Sequence, residues 1–240
     1  PAGPFSAYTD YIAPRYIVIA LLAALEQRRR TGLGQYIDLS QGEASLPFLG
    51  PTLLDYTVNG RVAGRAGNRD VNLAPNGVYP AAGDDRWVAI SVATDAQWRA
   101  LCTALGRDDL GQDPSLESAT QRLRAQDRLD AAIGAWTCQH DMFVIERTLQ
   151  AVGVPAHAVQ NSRELCVDPQ LRARGHFIAA QHPDRPTVTL EGPRFVLSRT
   201  PAVCGTTAPT YGCDNEYVLR EILGYDDDQI TALVAAGALE

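Results

Sequence analysis

Asp10 is the residue whose type and position best suit covalent or acid–base chemistry. It lies in the segment YTDYIAP at residues 8–14, just before an apolar run, residues 16–25, that is typical of a helix. A carboxylate at the start of a helix experiences the positive end of the helix dipole and lies near backbone N–H groups that lack helical partners. The residue type alone favours an N-terminal cap, so position by itself does not identify a nucleophile.

The other sequence motifs do not identify a catalytic or binding site. All 21 basic residues are arginines, which excludes mechanisms that need a Schiff-base or phosphate-binding lysine. The five cysteines form no C-x-x-C pair and the four histidines no cluster at ligand spacing, so we predict free thiols and no metal site. The Gly32-x-Gly34 pair follows a helix, whereas a dinucleotide-binding loop precedes one, and it therefore indicates a turn. Spacing does not exclude a Ser/His/Asp triad, but no local motif supports one.

The composition is that of an ordinary globular protein. The 240 residues suffice for one to two domains, with 45% hydrophobic and 20% charged residues. The net charge of −7 has the wrong sign for binding phosphate backbones or anionic lipid, so we expect neither a nucleic-acid nor a membrane partner. The apolar run at 16–25 is about half of what a bilayer requires, which predicts a buried helix in a cytoplasmic protein.

Periodicity and capping residues predict the elements that follow Asp10. Gln35–Leu39 alternates with a period of two, which predicts a strand. Ser40 with Glu43 resembles a capping box and predicts a second helix over residues 41–58, with a kink or break at its two prolines.

The composition changes at residue 59 and again after residue 76. Residues 59–76 are rich in Gly, Asn and Arg without an apolar period, which predicts a loop or crossing linker, and a loop of this length in a compact enzyme is often functional. Beyond it we predict strands at 78–81, 87–92 and 154–159 and helices at 94–105, 118–136 and 141–152. A helical turn at 168, short strands at 177–180, 187–190 and 195–198 and helices at 214–223 and 226–236 complete the prediction.

Several short segments in a fixed order make the chain resemble the family III CoA-transferases of the CaiB/BaiF type, which include formyl-CoA and carnitine CoA-transferases. Besides Asp10, the matching segments are 20–25, 29–35, 37–43, 67–68, 74–79, 153–156, 168–175, 215–219 and 223–224. The resemblance implies an α/β fold with a Rossmann-like large domain, a small α+β domain and two chains interlocked as a dimer. It implies a remnant of the large domain at 1–58, a linker or active-site loop at 59–76, the small domain at 77–165 and a return to the large domain at 166–240.

The resemblance also implies a function and a site. Asp10 matches the family nucleophile, which transfers coenzyme A between an acyl-CoA and a carboxylic acid through an aspartyl intermediate. Candidate substrate or CoA pocket residues are Tyr11, Asn68, Asn76, Gly77 and Tyr79. Coenzyme A and acyl-CoA are substrates, and no permanently bound cofactor is expected. The implied partners are the acyl-CoA, the acid acceptor and a second copy of the chain.

Departures from the family pattern leave alternatives open. Pro14 stands where formyl-CoA transferases have glycine, and only Gly77 represents their glycine-rich loop, so formate or oxalate specificity is unsupported. One alternative is an acyl-CoA racemase or isomerase in which the aspartate is an acid/base partner of an upstream histidine. Another is a non-catalytic fragment that only dimerises. Because the chain begins at Pro1 without Met, we expect a piece of a longer protein that is inactive alone.

Overall fold

A computed structural model describes residues 8–182, 185–203 and 207–239, which form two compact units, Pro1–Val159 and Gln160–Glu240. Helices of the first unit are α1 (Tyr8–Thr31), α2 (Gln41–Ser45), α3 (Gly50–Asn59), α4 (Asp95–Ala104), α5 (Asp108–Gly111), α6 (Ala119–Arg124), α7 (Gln126–Thr137) and α8 (Met142–Ala151). Its strands are β1 (Asn76–Pro80), β2 (Trp87–Ser91) and β3 (Ala156–Ala158). The finer division into four segments stays a prediction.

Helix α1 carries its charges where the helix dipole favours them. Asp10 lies in the first turn and three arginines, residues 28–30, in the last, and Gly32 ends the helix with a φ of 77°. Pro14 lies within the helix and has no N–H to donate to the carbonyl of Asp10 four residues earlier.

The expected burial of the apolar segment in α1 is wrong for this chain. Of the helix, only Ile12 and Ala13 are buried. Six large apolar side chains are exposed, namely Ile17, Val18, Ile19, Leu21, Leu22 and Leu25. Burial requires other surface to pack against, and within residues 8–159 the main neighbour of α1 is the short helix α2. By length and composition alone α1 could cross a membrane, a criterion that core helices of soluble proteins also meet.

Between α1 and the sheet, the predicted helix at 41–58 is interrupted. Ser40 caps α2 by accepting a hydrogen bond from the Glu43 N–H at 3.3 Å, and a tight turn at Leu46–Leu49 separates α2 from α3. The predicted break at the prolines is therefore confirmed. The predicted strand Gln35–Leu39 is wrong, because within the described residues it has no neighbouring strand to complete its hydrogen bonds.

A three-stranded antiparallel sheet and the helices α4–α8 form the small α+β block. The strand order is β1-β2-β3, with Val78 opposite Ala89 and Ile90 opposite Ala156. Alternate residues of β2 point into the core, where Val88 and Ile90 are buried. The main helical partners there are Trp98, Leu101, Leu129, Ile133, Ile145 and Leu149. Full burial of one such aliphatic side chain contributes about 1.5–3 kcal/mol.

The predicted elements of this block are largely confirmed. The helix expected at 118–136 is two helices, since the backbone leaves the helical conformation at Ala125. Capping boxes begin α4 and α6, where Thr94 pairs with Gln97 and Ser118 with Gln121.

The second unit contains short elements. Its helices are α9 (Ser162–Val167), α10 (Pro169–Ala173), α11 (Asn215–Tyr217), which continues into a π-helical turn at Val218–Ile222, and α12 (Asp227–Ala235). Strands β4 (Phe177–His182) and β5 (Arg185–Glu191) form an antiparallel hairpin. The strand predicted at 195–198 is wrong, because in the part of the unit that the structure describes these residues pair with neither strand.

Candidate active site

Asp10 lies in the first turn of α1 with its carboxylate exposed. The carboxamide nitrogen of Gln41, the first residue of α2, donates hydrogen bonds to Asp10 Oδ1 and to Thr9 Oγ1, the latter at 2.9 Å. Ser40 fixes the start of α2, and the buried Ser45 donates to the Gln41 carbonyl at 2.9 Å. Two helix N-termini therefore meet at the candidate nucleophile.

Asp10 also lines a groove along α1 of about 560 Å³. Tyr11, Pro14, Arg15, Val18 and Ile19 form the rest of its lining. Arg15 donates to the backbone carbonyl of Tyr11, one turn earlier. The lining is mostly apolar but includes one aspartate and one arginine, so the groove can accept an apolar acyl chain that carries a charged group.

The other predicted pocket residues lie together on the small α+β block. Asn68, Asn76 and Gly77 line two adjoining pockets of about 530 and 360 Å³, and Tyr79 lines the smaller of the two. The Asn76 amide donates to the backbone carbonyl of Asn68 at 2.8 Å, which links the loop to β1. Among the residues that line these pockets and the α1 groove, the two sets share none. The structure therefore brings together four predicted residues and, separately, Asp10 with Tyr11.

A buried tyrosine forms the inner wall of the smaller pocket. Tyr79 is 4% exposed, and its hydroxyl donates to Asp130 Oδ1 at 2.9 Å. Burial, followed by the Asp130 charge, raises the pKa of Tyr79 well above its usual range, so the phenol stays protonated at neutral pH. Within this network it donates a hydrogen bond and does not act as a base.

Arg69 connects the loop to the same network. Its guanidinium donates to Asp127 and, at 3.2 Å, to Asp130 Oδ2. The hydrogen bond to Asp127, the largest cause, raises the pKa of Arg69. These two contacts join the loop to helix α7.

The second half of the 59–76 loop is fixed by further bonds. Asp70 accepts the N–H groups of Asn72 at 2.7 Å and Leu73 at 3.1 Å, and the carbonyl of Ala74 accepts from Arg122 at 3.0 Å. The loop has no helix or strand between residues 60 and 75, as predicted. Its role as an active-site loop stays a prediction.

Two residues that organise the site and the loop beside it, Gln41 and Arg122, were not predicted from the sequence. Gln41 lies 31 positions from Asp10, and sequence alone does not indicate that α1 and α2 bring them together. Arg122 is 1% exposed, although arginine usually lies at the surface. Arg122 follows the Ser118 cap and lies between Leu116 and Leu129 in sequence, which indicates a helix face that points into the core. The pattern of charged residues alone does not indicate that Arg122 is buried.

The described part of the chain contains no candidate metal site. Across residues 8–182, 185–203 and 207–239, no group of three or more His, Cys, Asp and Glu side chains could hold an ion. Of the predicted free thiols, Cys102 is buried, Cys138 and Cys213 are exposed and Cys166 is intermediate, whereas Cys204 lies outside the described residues.

The chain is similar to known proteins over most of its length. The family described as CoA-transferase family III matches residues 1–215. Succinyl-CoA–D-citramalate CoA-transferase of Chloroflexus aurantiacus is 30% identical over 226 residues, which are 94% of this chain and 56% of the relative. The beta subunit of succinyl-CoA–L-malate CoA-transferase from the same organism is 30% identical over 237 residues, 97% of this chain and 58% of the relative.

A solved structure supports the same grouping. The crystal structure of a CaiB/BaiF family protein from Brucella suis superposes with a TM-score of 0.80 at 26% identity, over 92% of this chain and 57% of that chain. The chain thus spans about half the length of the curated relatives it matches. Because the family matches residues 1–215 of the 240, the chain belongs to CoA-transferase family III.

Proposed function

We propose that the protein transfers coenzyme A between an acyl-CoA thioester and a carboxylic acid, with Asp10 as the nucleophile. The observation that carries the proposal is the position of Asp10 within the family match, exposed in the first turn of α1 and at the end of an apolar groove. A nucleophile must be accessible to the thioester, and the Asp10 carboxylate is exposed.

The chemistry conserves the energy of the thioester by exchanging one activated acid for another. An Asp10 oxygen attacks the acyl carbon, the C–S bond breaks, and a mixed anhydride and a CoA thiolate form. The thiolate then attacks the Asp10 carboxyl carbon, which releases the first acid and leaves an aspartyl-CoA thioester. The incoming carboxylate attacks that carbon and expels the thiolate, which attacks the new acyl carbon and regenerates Asp10.

The proposed donor is succinyl-CoA and the proposed acceptor a dicarboxylic acid. Both relatives described above carry succinyl-CoA in their names, with D-citramalate or L-malate as the second acid. In this chain Arg15 lines the same groove as Asp10 and supplies a guanidinium suited to a distal carboxylate. Replacing Arg15 with Ala should therefore raise KM for succinyl-CoA more than for neutral propionyl-CoA, and an equal change for both would contradict this role.

We further propose the assembly that the family resemblance implies. In it, α1–α3 and the second unit contribute to a Rossmann-like large domain of a cytoplasmic, interlocked homodimer. The exposed apolar side chains of α1 support a large additional surface in the complete assembly. Light scattering of the purified full-length protein tests the homodimer. One relative is named as a beta subunit, so a mass that requires a different second chain would contradict the homodimer.

The decisive test is to trap the covalent intermediate. The full-length protein is incubated with succinyl-CoA, treated with hydroxylamine, and the modified peptide is identified by mass spectrometry. We expect a hydroxamate at Asp10, and Asp10→Asn should abolish both transfer and labelling without unfolding the protein, because an exposed charge in the first turn of a helix contributes only about 0.3–1 kcal/mol. Labelling elsewhere with activity retained in Asp10→Asn would refute the proposal. Proton exchange at the substrate α-carbon in D2O without CoA transfer would instead indicate a racemase or isomerase.

A further inference from the structure

Gln41 is the one side chain outside α1 that hydrogen-bonds the candidate nucleophile among the contacts the structure describes. Its Nε2 donates to Asp10 Oδ1 and to Thr9 Oγ1. A carboxylate only accepts hydrogen bonds, so the nitrogen of the amide must face Asp10. Both hydrogens of that nitrogen are then used, which fixes the plane of the carboxamide relative to the carboxylate.

The backbone of Gln41 is fixed as well. It is the first residue of α2, directly after the Ser40 cap. Ser45 is buried and donates to the Gln41 carbonyl from one turn away. The edge-to-face contact between Tyr16 of α1 and Phe48, with ring centroids 6.2 Å apart, further joins the two segments.

The hydrogen bond between Gln41 and Asp10 contributes little to the stability of the fold. Asp10 and Gln41 are both exposed, and hydrogen bonds between exposed polar side chains exchange partners with water at little net gain. Such an arrangement can nevertheless be important for reactivity. One carboxylate oxygen is held by the amide and the other is left to attack.

We propose that Gln41 is the positioning residue of the Asp10 nucleophile, an inference that rests on the proposed function. By binding Oδ1, it selects the carboxylate rotamer in which Oδ2 attacks the thioester carbon. After the anhydride forms, Oδ1 is the carbonyl oxygen of the aspartyl group. The same N–H then stabilises the negative charge that develops on Oδ1 when the CoA thiolate attacks.

The experiment compares two shape-matched variants of the full-length protein. Gln41→Leu removes the donor, whereas Gln41→Glu keeps the length of the side chain but places a second carboxylate against Asp10. We expect kcat to fall on the order of 10²-fold in Gln41→Leu, as for a misplaced reacting group, and further in Gln41→Glu because of repulsion. KM for acyl-CoA and the thermal midpoint should remain unchanged, since neither acyl-chain contacts nor the core is altered. Gln27→Leu, an exposed glutamine on α1, is the matched control and should behave as wild type.

Asp10→Asn in the same assay separates the two proposals. An inactive Asp10→Asn together with the ordered loss of kcat in the Gln41 variants supports positioning by Gln41. If Asp10→Asn is inactive but kcat of the Gln41 variants stays within about twofold of wild type, the positioning inference is overturned and the proposed function remains. The same holds if Gln41→Leu and Gln41→Glu lose equal kcat. An active Asp10→Asn overturns both.

Discussion

Replacing Arg122 should unfold the small α+β block at much lower denaturant concentration, because its guanidinium is buried with four acceptors. It donates to the carbonyls of Ala74 at 3.0 Å, Leu116 at 3.1 Å and Glu117 at 2.8 Å. It also forms an ion pair with Asp95 Oδ1 at 2.7 Å and lies 5.6 Å from the centroid of the Trp98 ring. The four acceptors come from three segments, so one side chain joins the loop, the turn before α6 and the start of α4.

The expected cost follows from these contacts. A hydrogen bond from a charged group contributes about 1.5–3 kcal/mol, and a simple sum of four would exceed the stability of many domains. The sum is too large because the Asp95 side chain is 57% exposed and regains water when its partner is lost. We therefore expect Arg122→Ala to reduce the free energy of unfolding by about 3–5 kcal/mol, chiefly because three backbone carbonyls lose a buried donor, at about 1–3 kcal/mol each. Arg122→Lys should lose about 2 kcal/mol, since a point ammonium cannot reproduce the planar fork.

Tryptophan fluorescence reports this transition directly. The protein has three tryptophans, Trp87, Trp98 and Trp136, and all lie in the small α+β block. Urea unfolding of wild type, Arg122→Ala and Arg122→Lys gives the three free energies, with Arg124→Ala, an exposed arginine of the same helix, as control. If Arg122→Ala lost less than about 1 kcal/mol, a value usual for an exposed pair, the buried fork would not stabilise the fold as argued.

Three further changes test other parts of the chain. Gly77→Val should lower transfer relative to thioester hydrolysis, because a Cβ at Gly77 lies 3.1 Å from the Tyr79 hydroxyl; equal ratios in this variant and in Gly50→Ala, a site with open space outside the pockets, would contradict it. Burial raises the pKa of the Cys102 thiol to about 11, so iodoacetamide at pH 8 should label Cys138 and Cys213 but not Cys102, and labelling of native Cys102 would refute its burial. Because this pKa is higher in the folded than in the unfolded state, the contribution of Cys102 to the free energy of unfolding is complete below about pH 9 and is lost as the pH rises from about 9 to 11. In urea titrations, Cys102→Ala should show a smaller loss of stability over that pH range. Ile19→Gln with Leu22→Gln should reduce concentration-dependent association of the 240-residue chain in light scattering, whereas a wild-type chain that is already monodisperse at 25.9 kDa would contradict this expectation.

Local patterns were sufficient where an element is stabilised by its own periodicity and caps. The strands at 76–80 and 87–91 and the helices that follow were predicted to within a few residues, because alternation and capping act over short distances. The strand predicted at 35–39 failed because a strand depends on a partner that periodicity does not reveal. For the site, a charge before an apolar helix made Asp10 a candidate, and the family resemblance predicts its chemistry. The amide that holds Asp10 and the arginine that fixes the loop depend on tertiary contacts, so no spacing rule could indicate them.

The two halves of the proposed site are held in physically different ways. Asn76, Gly77 and Tyr79 belong to a strand in a packed core, so their positions change only at a substantial cost in stability. Asp10 instead lies on a helix with two buried residues, and its neighbours in α2 are short and partly exposed. Substitutions around the pocket should therefore be detected first as lost stability, and substitutions at the α1–α2 contact as lost turnover in a protein that is still folded. In the proposed reaction Asp10 changes its covalent partner four times in each cycle, and small movements at the α1–α2 contact would allow this without disrupting a core.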